Sequence, residues 1–409
     1  MTETAVGKPD VRYDPYDFEI DNDPYPTFRR LRDEAPLYYN DEYDFYALSR
    51  FHDVKQASVE WETYPSGRGS VLELIKSGAA IPPGFILWED PPRHDVHRGL
   101  LARVFTMRRI AQIEDKVRTV CTATLDKFVD TGRFDFVADL GSEIPMRTIG
   151  MMLGIPDSDQ VSHRDRTNEG IKLADGQAPV DGSALLTLTD TQRIGDYINF
   201  RRRHPADDLM TDLLTATCTD SGGHERQLQD STIQTYVGLL AAAGNETTVR
   251  LFSWAGKVLA EHPDQRRELA NDPSLIPAAI EELLRFEAPS PVQARYVARD
   301  VEHHGRTMPQ GSVVLLLTAS ANRDERAFED PDRFDIHRKT KNHVSFGFGI
   351  HHCLGAHLAR LEARVGLEEV FKRFPEWDVD WDNAVQSHTS TVRGWEKLPV
   401  VASPSLRDR

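Results

Sequence analysis

Residues 346–355 read Phe-Gly-Phe-Gly-Ile-His-His-Cys-Leu-Gly, and this stretch around Cys353 decides how the rest of the chain is interpreted. Glycines on both sides of the cysteine, among them Gly347, permit a tight turn and a close approach of the backbone. Good helix formers follow from Ala356 onward, so the amides at the start of that helix can stabilise negative charge on the sulfur. A thiolate among aromatic and apolar neighbours such as Phe346 suits a flat and bulky metal complex.

Two other interpretations of the cysteine stay open from its local residues. A lone cysteine packs readily in a core as a small and inert hydrophobe. A zinc site made of His351, His352 and Cys353 is the weaker alternative, because adjacent residues point in different directions and no second Cys/His pair completes four ligands. The ten-residue context favours a functional thiolate over both.

The bulk composition predicts a globular protein with no general affinity for nucleic acid or membranes. The chain has 409 residues, of which 39% are hydrophobic and 28% charged, and its net charge is −16. Negative charge opposes binding to nucleic acid and to anionic membrane surfaces. No apolar run reaches the roughly 18 to 20 residues that span a bilayer, and residues 1–23 do not resemble a secretory signal. Three cysteines fit a reducing compartment, so we expect a cytoplasmic protein.

Helical periodicity dominates the interior of the chain. Apolar residues recur at steps of three and four in the stretches 107–128, 229–261, 275–286 and 355–374. Short runs of strand-forming residues stand at 44–48 and 312–317. Residues 66–85 mix glycine, proline and apolar residues without a period, which predicts a long loop. The chain is therefore predicted to be mainly α with small β-sheets at its margins, and residues 1–409 to form a single domain.

The stretch 346–355 resembles the haem-binding loop of the cytochrome P-450 family, the haem-thiolate monooxygenases, and specifically the soluble bacterial type. The matching pattern is Phe, two spacers, Gly, a spacer, His or Arg, a spacer, Cys, a spacer and Gly. Matching elements appear in order from residue 25 to residue 399. The resemblance implies the cytochrome P-450 fold, a triangular helical prism around a non-covalently held haem b. It also makes Cys353 the axial ligand of the iron, with Phe346 and Gly347 contacting the cofactor.

Residues 243–248 read Ala-Gly-Asn-Glu-Thr-Thr in the middle of a predicted helix. Glycine inside a helix costs about 1 kcal/mol relative to alanine, and an acid with two β-branched alcohols suits a core helix poorly. A loosely packed turn is one explanation. The resemblance gives another: Thr247 hydrogen-bonds dioxygen at the iron, and Glu246 helps to relay protons from solvent.

The acid–alcohol pair, Glu246 and Thr247, also helps to distinguish between classes of protein. One alternative is a haem-thiolate protein that does not use dioxygen, such as a peroxygenase, an isomerase or a binding module, and the pair counts against it, because peroxide-using members of the family often lack it. A helical scaffold without haem, in which Cys353 is structural, would be colourless. The pair favours true dioxygen activation by a monooxygenase.

The two propionates of haem need cationic or hydrogen-bonding partners when they are buried. By resemblance these partners are His94 and Arg98, four residues apart, together with Arg295 and His351. Each of them alone could be an ordinary surface cation. Four in register with the cysteine loop argue for a shared role.

Glu282 and Arg285 lie three residues apart on a predicted helix and can form an ion pair. Arg333 stands in Pro-Asp-Arg-Phe at 331–334, which looks like the family's downstream element. The resemblance implies that all three form a buried charge cluster that serves folding and haem retention. A solvated helix face is the alternative.

The resemblance also implies which residues line the substrate pocket. They are mostly apolar: Phe85, Leu239, Ala243, Val292, Gln293 and Val392. A terpenoid, a fatty acid, a steroid or an aromatic compound each fits such a pocket.

Electrons are expected to come from outside the chain, because no flavin or iron–sulfur module is evident. We expect NAD(P)H to supply them through a ferredoxin reductase and a ferredoxin. Basic residues outnumber acidic ones in 93–109 and in 338–364, and in the family's fold both regions approach the thiolate side of the haem. They are predicted to form a docking patch for an acidic ferredoxin, with a solvated helix face as the alternative.

Overall fold

The computed structural model describes residues 11–156, 191–219, 225–340 and 342–403, and helices are their dominant element. The helices are α1 (Phe18–Asn22), α2 (Tyr25–Glu34), α3 (Phe51–Val59), α4 (Leu72–Ser77), α5 (Arg93–Ala102), α6 (Met107–Gln112), α7 (Glu114–Leu125), α8 (Glu143–Leu153), α9 (Thr191–Arg203), α10 (Leu209–Thr215), α11 (Asp230–Glu261), α12 (Pro263–Asn271), α13 (Ile276–Phe286), α14 (Thr318–Ala321) and α15 (Ala356–Arg373). The strands are β1 (Leu37–Asn40), β2 (Phe45–Leu48), β3 (Arg133–Asp135), β4 (Thr217–Thr219), β5 (Glu225–Gln227), β6 (Gln293–Tyr296), β7 (Val301–His303), β8 (Arg306–Met308), β9 (Val313–Leu316), β10 (Glu376–Val379), β11 (Val385–His388), β12 (Arg393–Lys397) and β13 (Pro399–Ser403).

Helix α11 runs through the interior and organises the other elements. It has 32 residues and is therefore about 48 Å long. Residues 248–256 are buried on every side, as in a helix enclosed by its neighbours. It packs against α8, α9, β12 and the π-helical segment Phe136–Gly141. Neither α11 nor another helix of the described residues is apolar enough over a sufficient length to cross a membrane.

The sheets are small and lie beside this helical body. The largest has the order β1-β2-β9-β6, in which β2 and β9 are parallel and Tyr46 lies opposite Val314. A second sheet has the order β10-β13-β3, and the pairs β4–β5, β7–β8 and β11–β12 complete the set in the described ranges. The predicted strands at 44–48 and 312–317 are β2 and β9, and the prediction of a mainly α fold with small sheets is confirmed.

The predicted helices at 229–261, 275–286 and 355–374 are confirmed as α11, α13 and α15. A single helix over 107–128 is wrong, because α6 ends at Gln112 and α7 begins at Glu114, and Ile113 between them has φ −95° and ψ −1°. Ile110 and Val117, on either side of the break, are both buried. The apolar period therefore continues across the break and conceals it in the sequence.

The prediction of an uninterrupted loop over 66–85 is also wrong, because it contains α4. Leu72, Leu74 and Ile75 of this helix are buried, and Gly78 ends it in the left-handed conformation with φ +65°. Six residues between glycine- and proline-rich flanks are too few to show a helical period.

Candidate active site

The loop before α15 is fixed by two glycines and by the backbone of α3. Gly347 and Gly349 have φ values of +66° and +69°, a left-handed backbone conformation that residues with a side chain rarely adopt. A Cβ atom at Gly349 would lie 2.9 Å from the carbonyl oxygen of Ser58, at the end of α3. The amide of Cys353 donates to the carbonyl of Phe346 at 2.8 Å. These contacts hold the cysteine three residues before the first turn of α15.

Cys353 is exposed as a residue, whereas its thiol group is enclosed by protein atoms, which dominate its protonation. Burial raises the pKa of the Cys353 thiol, while the amide of Gly355 and the positive charges of Arg98 and Arg360 oppose that rise. The guanidinium of Arg360 also lies over the ring of Phe346, 4.4 Å from its centre. A thiolate here is thus partly stabilised by the protein, and a metal ion bound to the sulfur would complete that stabilisation.

The four residues expected to hold propionates lie together near this loop. The rings of His94 and His351 are 4.6 Å apart between centroids. Arg98, on α5, donates to the carbonyl of His352 in the cysteine loop. Burial and the positive charge of Arg295 lower the pKa of His351 to about 3, and His94 and Arg98 act in the same direction.

This set of residues offers donors without enough acceptors. The Nε2 atoms of His94 and His351 are buried and make no hydrogen bond within the described part of the chain. Arg295 is 6% exposed and donates to the carbonyl of Ala294 at 2.8 Å and to Oε1 of Gln293 at 3.3 Å. A buried guanidinium without a carboxylate is costly unless an anion joins it. The donor set therefore fits a buried group with two carboxylates, as the propionates of haem are.

The middle of α11 opens to solvent at the acid–alcohol pair. Ala243 is exposed and Thr247 is partly exposed, although the following turns are buried. The Thr247 hydroxyl donates to the carbonyl of Ala243 at 2.9 Å. Glu246 points to the buried side, where it pairs with Arg250 at 2.9 Å. The sequence interpretation missed Arg250, although an acid and a base four residues apart on a helix are a recognisable signal.

Glu282 and Arg285 form the predicted ion pair in the core. Their side chains are fully buried and meet at 2.7 Å. Three further residues donate to the carboxylate of Glu282: Arg338 to Oε1 at 3.0 Å, the backbone amide of Asp335 to Oε1 at 3.1 Å, and the Thr340 hydroxyl to Oε2 at 3.0 Å. Every oxygen of this buried carboxylate thus has a donor.

The prediction that Arg333 belongs to this buried cluster is wrong. Its side chain is 69% exposed and lies 3.6 Å from Asp335, and only its backbone carbonyl accepts from Arg285, at 3.3 Å. The neighbouring Phe334 is 1% exposed and takes the inward position. Arg338, which donates to Oε1 of Glu282, takes the place that was expected for Arg333.

Two of the predicted pocket residues lie in the main core. Phe85 is buried and stacks on Trp88 with 5.0 Å between ring centres, and Leu239 of α11 belongs to the same apolar cluster. The indole of Trp88, which the sequence interpretation did not select, donates to the hydroxyl of Ser70 at 2.8 Å. The loop over 81–88 is therefore held by polar as well as apolar contacts.

The other predicted pocket residues follow α13. Val292 is partly buried beside the apolar cluster of the N-terminal segment, and Val392 is buried. Gln293 has its Oε1 occupied by the hydrogen bond from Arg295. The side-chain amide of Gln293 therefore binds Arg295, besides its predicted place in the substrate pocket.

The three arginines of the basic stretch 338–364 all form ion pairs with carboxylates. Arg360 meets Glu281 at 2.6 Å, and Arg364 meets Glu114 at 2.6 Å. These cations stabilise contacts between helices, so they contribute little net charge to a docking surface.

Part of the stretch 93–109 keeps its charge. Arg109 pairs with Asp212 at 3.2 Å, but Arg103 and Arg108 are exposed and have no carboxylate within 4.0 Å in the described ranges. Met107 beside them has 69% of its surface exposed. We call Arg103, Met107 and Arg108 the α6 patch.

Comparison with known proteins gives one family. The cytochrome P450 family model matches residues 192–392. A putative cytochrome P450 123 of Mycobacterium tuberculosis is 40% identical over 398 residues, which cover 97% of this chain and 98% of that protein. The vitamin D(3) 25-hydroxylase of Pseudonocardia autotrophica is 34% identical and covers 93% and 94%. The structure of cytochrome P450 CYP109Q5 from Chondromyces apiculatus matches with a TM-score of 0.83 at 32% identity, over 97% of this chain and 99% of that one. Identity at this level along almost the entire length shows that the chain belongs to the cytochrome P450 family of haem monooxygenases.

Proposed function

We propose that the thiolate of Cys353 would hold the iron of haem b, and that residues 1–409 act as one domain that inserts an oxygen atom from dioxygen into a small, largely apolar substrate. The observation that carries this proposal is an exposed cysteine in a loop where four His and Arg side chains gather, two of which have buried nitrogens without a hydrogen-bond partner among the described residues. When bound, haem supplies the redox chemistry that activates dioxygen.

The chain's own groups would hold this cofactor in two ways. Arg98 and the amide of Gly355 favour the thiolate form of Cys353. Arg295 and the unsatisfied nitrogens of His94 and His351 would donate to the propionates, together with Arg98. Phe346 and Gly347 would leave room for the ring while shielding the sulfur. Because Arg98 serves both roles, it couples the charge of the thiolate to the anchoring of the propionates.

Thr247 would hold the proton that dioxygen needs. Its hydroxyl now donates a hydrogen bond to the carbonyl of Ala243, and rotation of the side chain would redirect the hydroxyl proton toward the open side of α11 without moving the backbone. Glu246 would move protons from solvent toward it. Since Glu246 is bound to Arg250 on the buried side, this transfer requires its side chain to rotate away from Arg250.

The substrate would be a terpenoid, a fatty acid, a steroid or an aromatic compound. Phe85, Leu239, Val292 and Val392 provide apolar surface, and Ala243 leaves space beside Thr247. A relative whose name is vitamin D(3) 25-hydroxylase supports a substrate of this general character.

Electrons from NAD(P)H would arrive through a ferredoxin reductase and a ferredoxin. The α6 patch supports an acidic partner, because Arg103 and Arg108 are exposed and have no carboxylate within 4.0 Å in the part of the chain that the structure describes, and Met107 adds an exposed apolar side chain. Charge complementarity of this kind guides association, and the apolar centre contributes buried area.

The test of this proposal is the optical spectrum of the purified holoprotein, reduced under carbon monoxide. Thiolate ligation gives a strongly red-shifted Soret band, and Cys353→Ala should abolish it. Cys121→Ala is the matched control, because Cys121 is fully buried in the core and should leave the band unchanged. A colourless wild-type protein, or a red-shifted band that survives Cys353→Ala, would contradict the proposal.

A further inference from the structure

A cavity of about 60 Å³ lies between the N-terminal segment, α4 and the chain at the start of β12. Val292, which was expected to line the substrate pocket, is part of its wall. Thr391 and Arg393 are also part of the wall, and they flank Val392, another residue expected in that pocket. The cavity therefore adjoins the predicted substrate pocket.

Glu73 of α4 contributes a buried carboxyl group to this wall. Glu73 is only 9% exposed, and the hydroxyl of Tyr16 donates to its Oε1 at 2.9 Å. The second oxygen, Oε2, is buried and has no hydrogen-bond donor within the described residues. Burial raises the pKa of Glu73, in spite of the bond from Tyr16. A carboxyl group buried in this way needs a donor or a cation to satisfy its remaining oxygen.

Aromatic rings line the same cavity. Tyr13, Tyr16 and Phe28 all belong to the wall, and the rings of Tyr13 and Phe28 are 5.8 Å apart at an angle of 56°. The faces of such rings carry negative partial charge and attract cations, most strongly where water is excluded. A carboxyl group among aromatic rings is the chemistry that recognises an alkylammonium group.

Arg393, the basic residue in the described part of the cavity wall, does not cancel the preference of the cavity for an alkylammonium group. Arg393 pairs with the buried carboxylate of Glu287 at 2.8 Å and donates to the carbonyl of Asn22 at 2.7 Å. Its charge is therefore directed away from Glu73.

Two further carboxylates, Asp14 and Asp21, also contribute to the wall. Asp14 pairs with Arg12 at 2.9 Å, and Asp21 accepts from His388 at 2.7 Å. Since these two are already matched by basic groups, Glu73 is the carboxyl group that is left to bind a cation.

We propose that this cavity binds the alkylammonium end of an otherwise apolar substrate, with Glu73 as its anionic partner and the rings of Tyr13 and Tyr16 as its walls. The proposal rests on the monooxygenase function proposed above, and it narrows the substrate class to apolar molecules that carry a permanent or protonated amine. Glu73 is then a specificity-determining residue outside the oxygen-activating site.

The first experiment measures binding to the wild-type holoprotein by isothermal titration calorimetry. The probes are decyltrimethylammonium, 1-decanol and decanoate, which share a chain length and differ in head-group charge. A quaternary nitrogen has no lone pair and cannot bind iron, so its binding reports on the protein alone. We expect the ammonium probe to bind about tenfold or more tightly than decanol, as a charge-assisted contact predicts, and decanoate to bind most weakly. Equal affinity for the ammonium probe and decanol would overturn the proposal.

The second experiment replaces the carboxyl group. Glu73→Gln should reduce the affinity for decyltrimethylammonium about tenfold, to the level of decanol, and leave decanol binding unchanged. Glu42→Gln is the matched control, because it removes one carboxylate whose side chain is 58% exposed. An unchanged ammonium affinity in Glu73→Gln would overturn the role of Glu73.

The carbon monoxide spectrum of the same preparations separates the two proposals. A normal thiolate spectrum without any ammonium preference refutes the cavity's role alone. Loss of the thiolate spectrum in the wild-type protein refutes the proposed function. The comparison of the three probes on wild-type protein requires no variant to fold.

Discussion

The carboxylate of Glu246 and the guanidinium of Arg250 meet at 2.9 Å within α11, with side-chain exposures of 5% and 6%. The two residues lie one helical turn apart, and Arg250 also donates to the carbonyl of Trp395 in β12. The acid expected to relay protons is therefore fixed by a residue outside the acid–alcohol pair. Its freedom to move depends on how firmly α11 is joined to β12.

Replacement of Arg250 should destabilise the protein more than replacement of both partners. Arg250→Met leaves the buried carboxylate of Glu246 without its guanidinium and should cost about 3 to 5 kcal/mol in the free energy of unfolding, measured with urea on the holoprotein. The double variant Glu246→Gln/Arg250→Met should recover part of this loss, because no buried charge remains. A single variant as stable as wild type would show that the pair does not support α11.

Thr247→Ala should uncouple electron consumption from product formation. Without the hydroxyl proton, we expect product to fall at least about tenfold while NAD(P)H consumption continues and hydrogen peroxide accumulates. The measurement is the ratio of peroxide to NAD(P)H consumed, with haem content as a check on folding. Thr247→Ser keeps a hydroxyl and should retain most of the coupling. Full coupling in the alanine variant would exclude Thr247 from proton delivery.

Glu362 of α15 should make stability fall as the pH rises. It is 1% exposed, and burial raises its pKa from 4.5 to about 8, against the hydrogen bonds of Thr148 and Thr248. A raised pKa in the folded state contributes stability that is complete below the unfolded pKa and is lost as the pH rises through the folded pKa. Glu362→Gln has no such dependence.

The variant Glu362→Gln should therefore gain stability relative to wild type between about pH 5 and about pH 8. The measurement is the urea midpoint of both proteins across that range. Glu62→Gln, at an exposed position, should show a constant difference. A constant difference for Glu362→Gln as well would mean that this carboxyl group is ionised in the folded protein.

Arg338 and Arg333 allow a matched comparison. Arg338→Ala removes one charged donor from the buried carboxylate of Glu282, which keeps its pair with Arg285, and should cost about 2 kcal/mol in the free energy of unfolding. Arg333→Ala removes the same charge from an exposed position and should change stability by less than about 0.5 kcal/mol. Similar losses in both variants would place Arg333 in the cluster after all.

The α6 patch should set the dependence on ferredoxin. Arg103→Gln/Arg108→Gln should raise the KM for ferredoxin about tenfold and weaken its dependence on ionic strength, because screening acts on these charges. Arg133→Gln, an exposed charge on β3, is the control and should leave both unchanged. An unchanged KM in the double variant would locate the docking surface elsewhere.

Features that depend on a local sequence pattern could be predicted from the sequence. Features that depend on contacts between distant residues could not. The loop around Cys353 and the helix α11 could be predicted because each is encoded by one uninterrupted stretch of sequence. The inward position of Phe334 rather than Arg333 depends on packing against residues far away in sequence. The partner of Glu246 lay within reach of a spacing rule, whereas Arg338 carries no local sign that it will meet Glu282.

The parallel pairing of β2 with β9 also affects synthesis of the chain. The strand with Tyr46 leaves the ribosome long before the strand with Val314 that completes its hydrogen bonds. Pairing over such a separation in sequence closes a large loop and is slow. Until β9 has been made, the open edge of β2 can pair with other chains. Expression conditions that slow translation between these strands should therefore favour aggregation, and full-length chains should dominate the soluble yield.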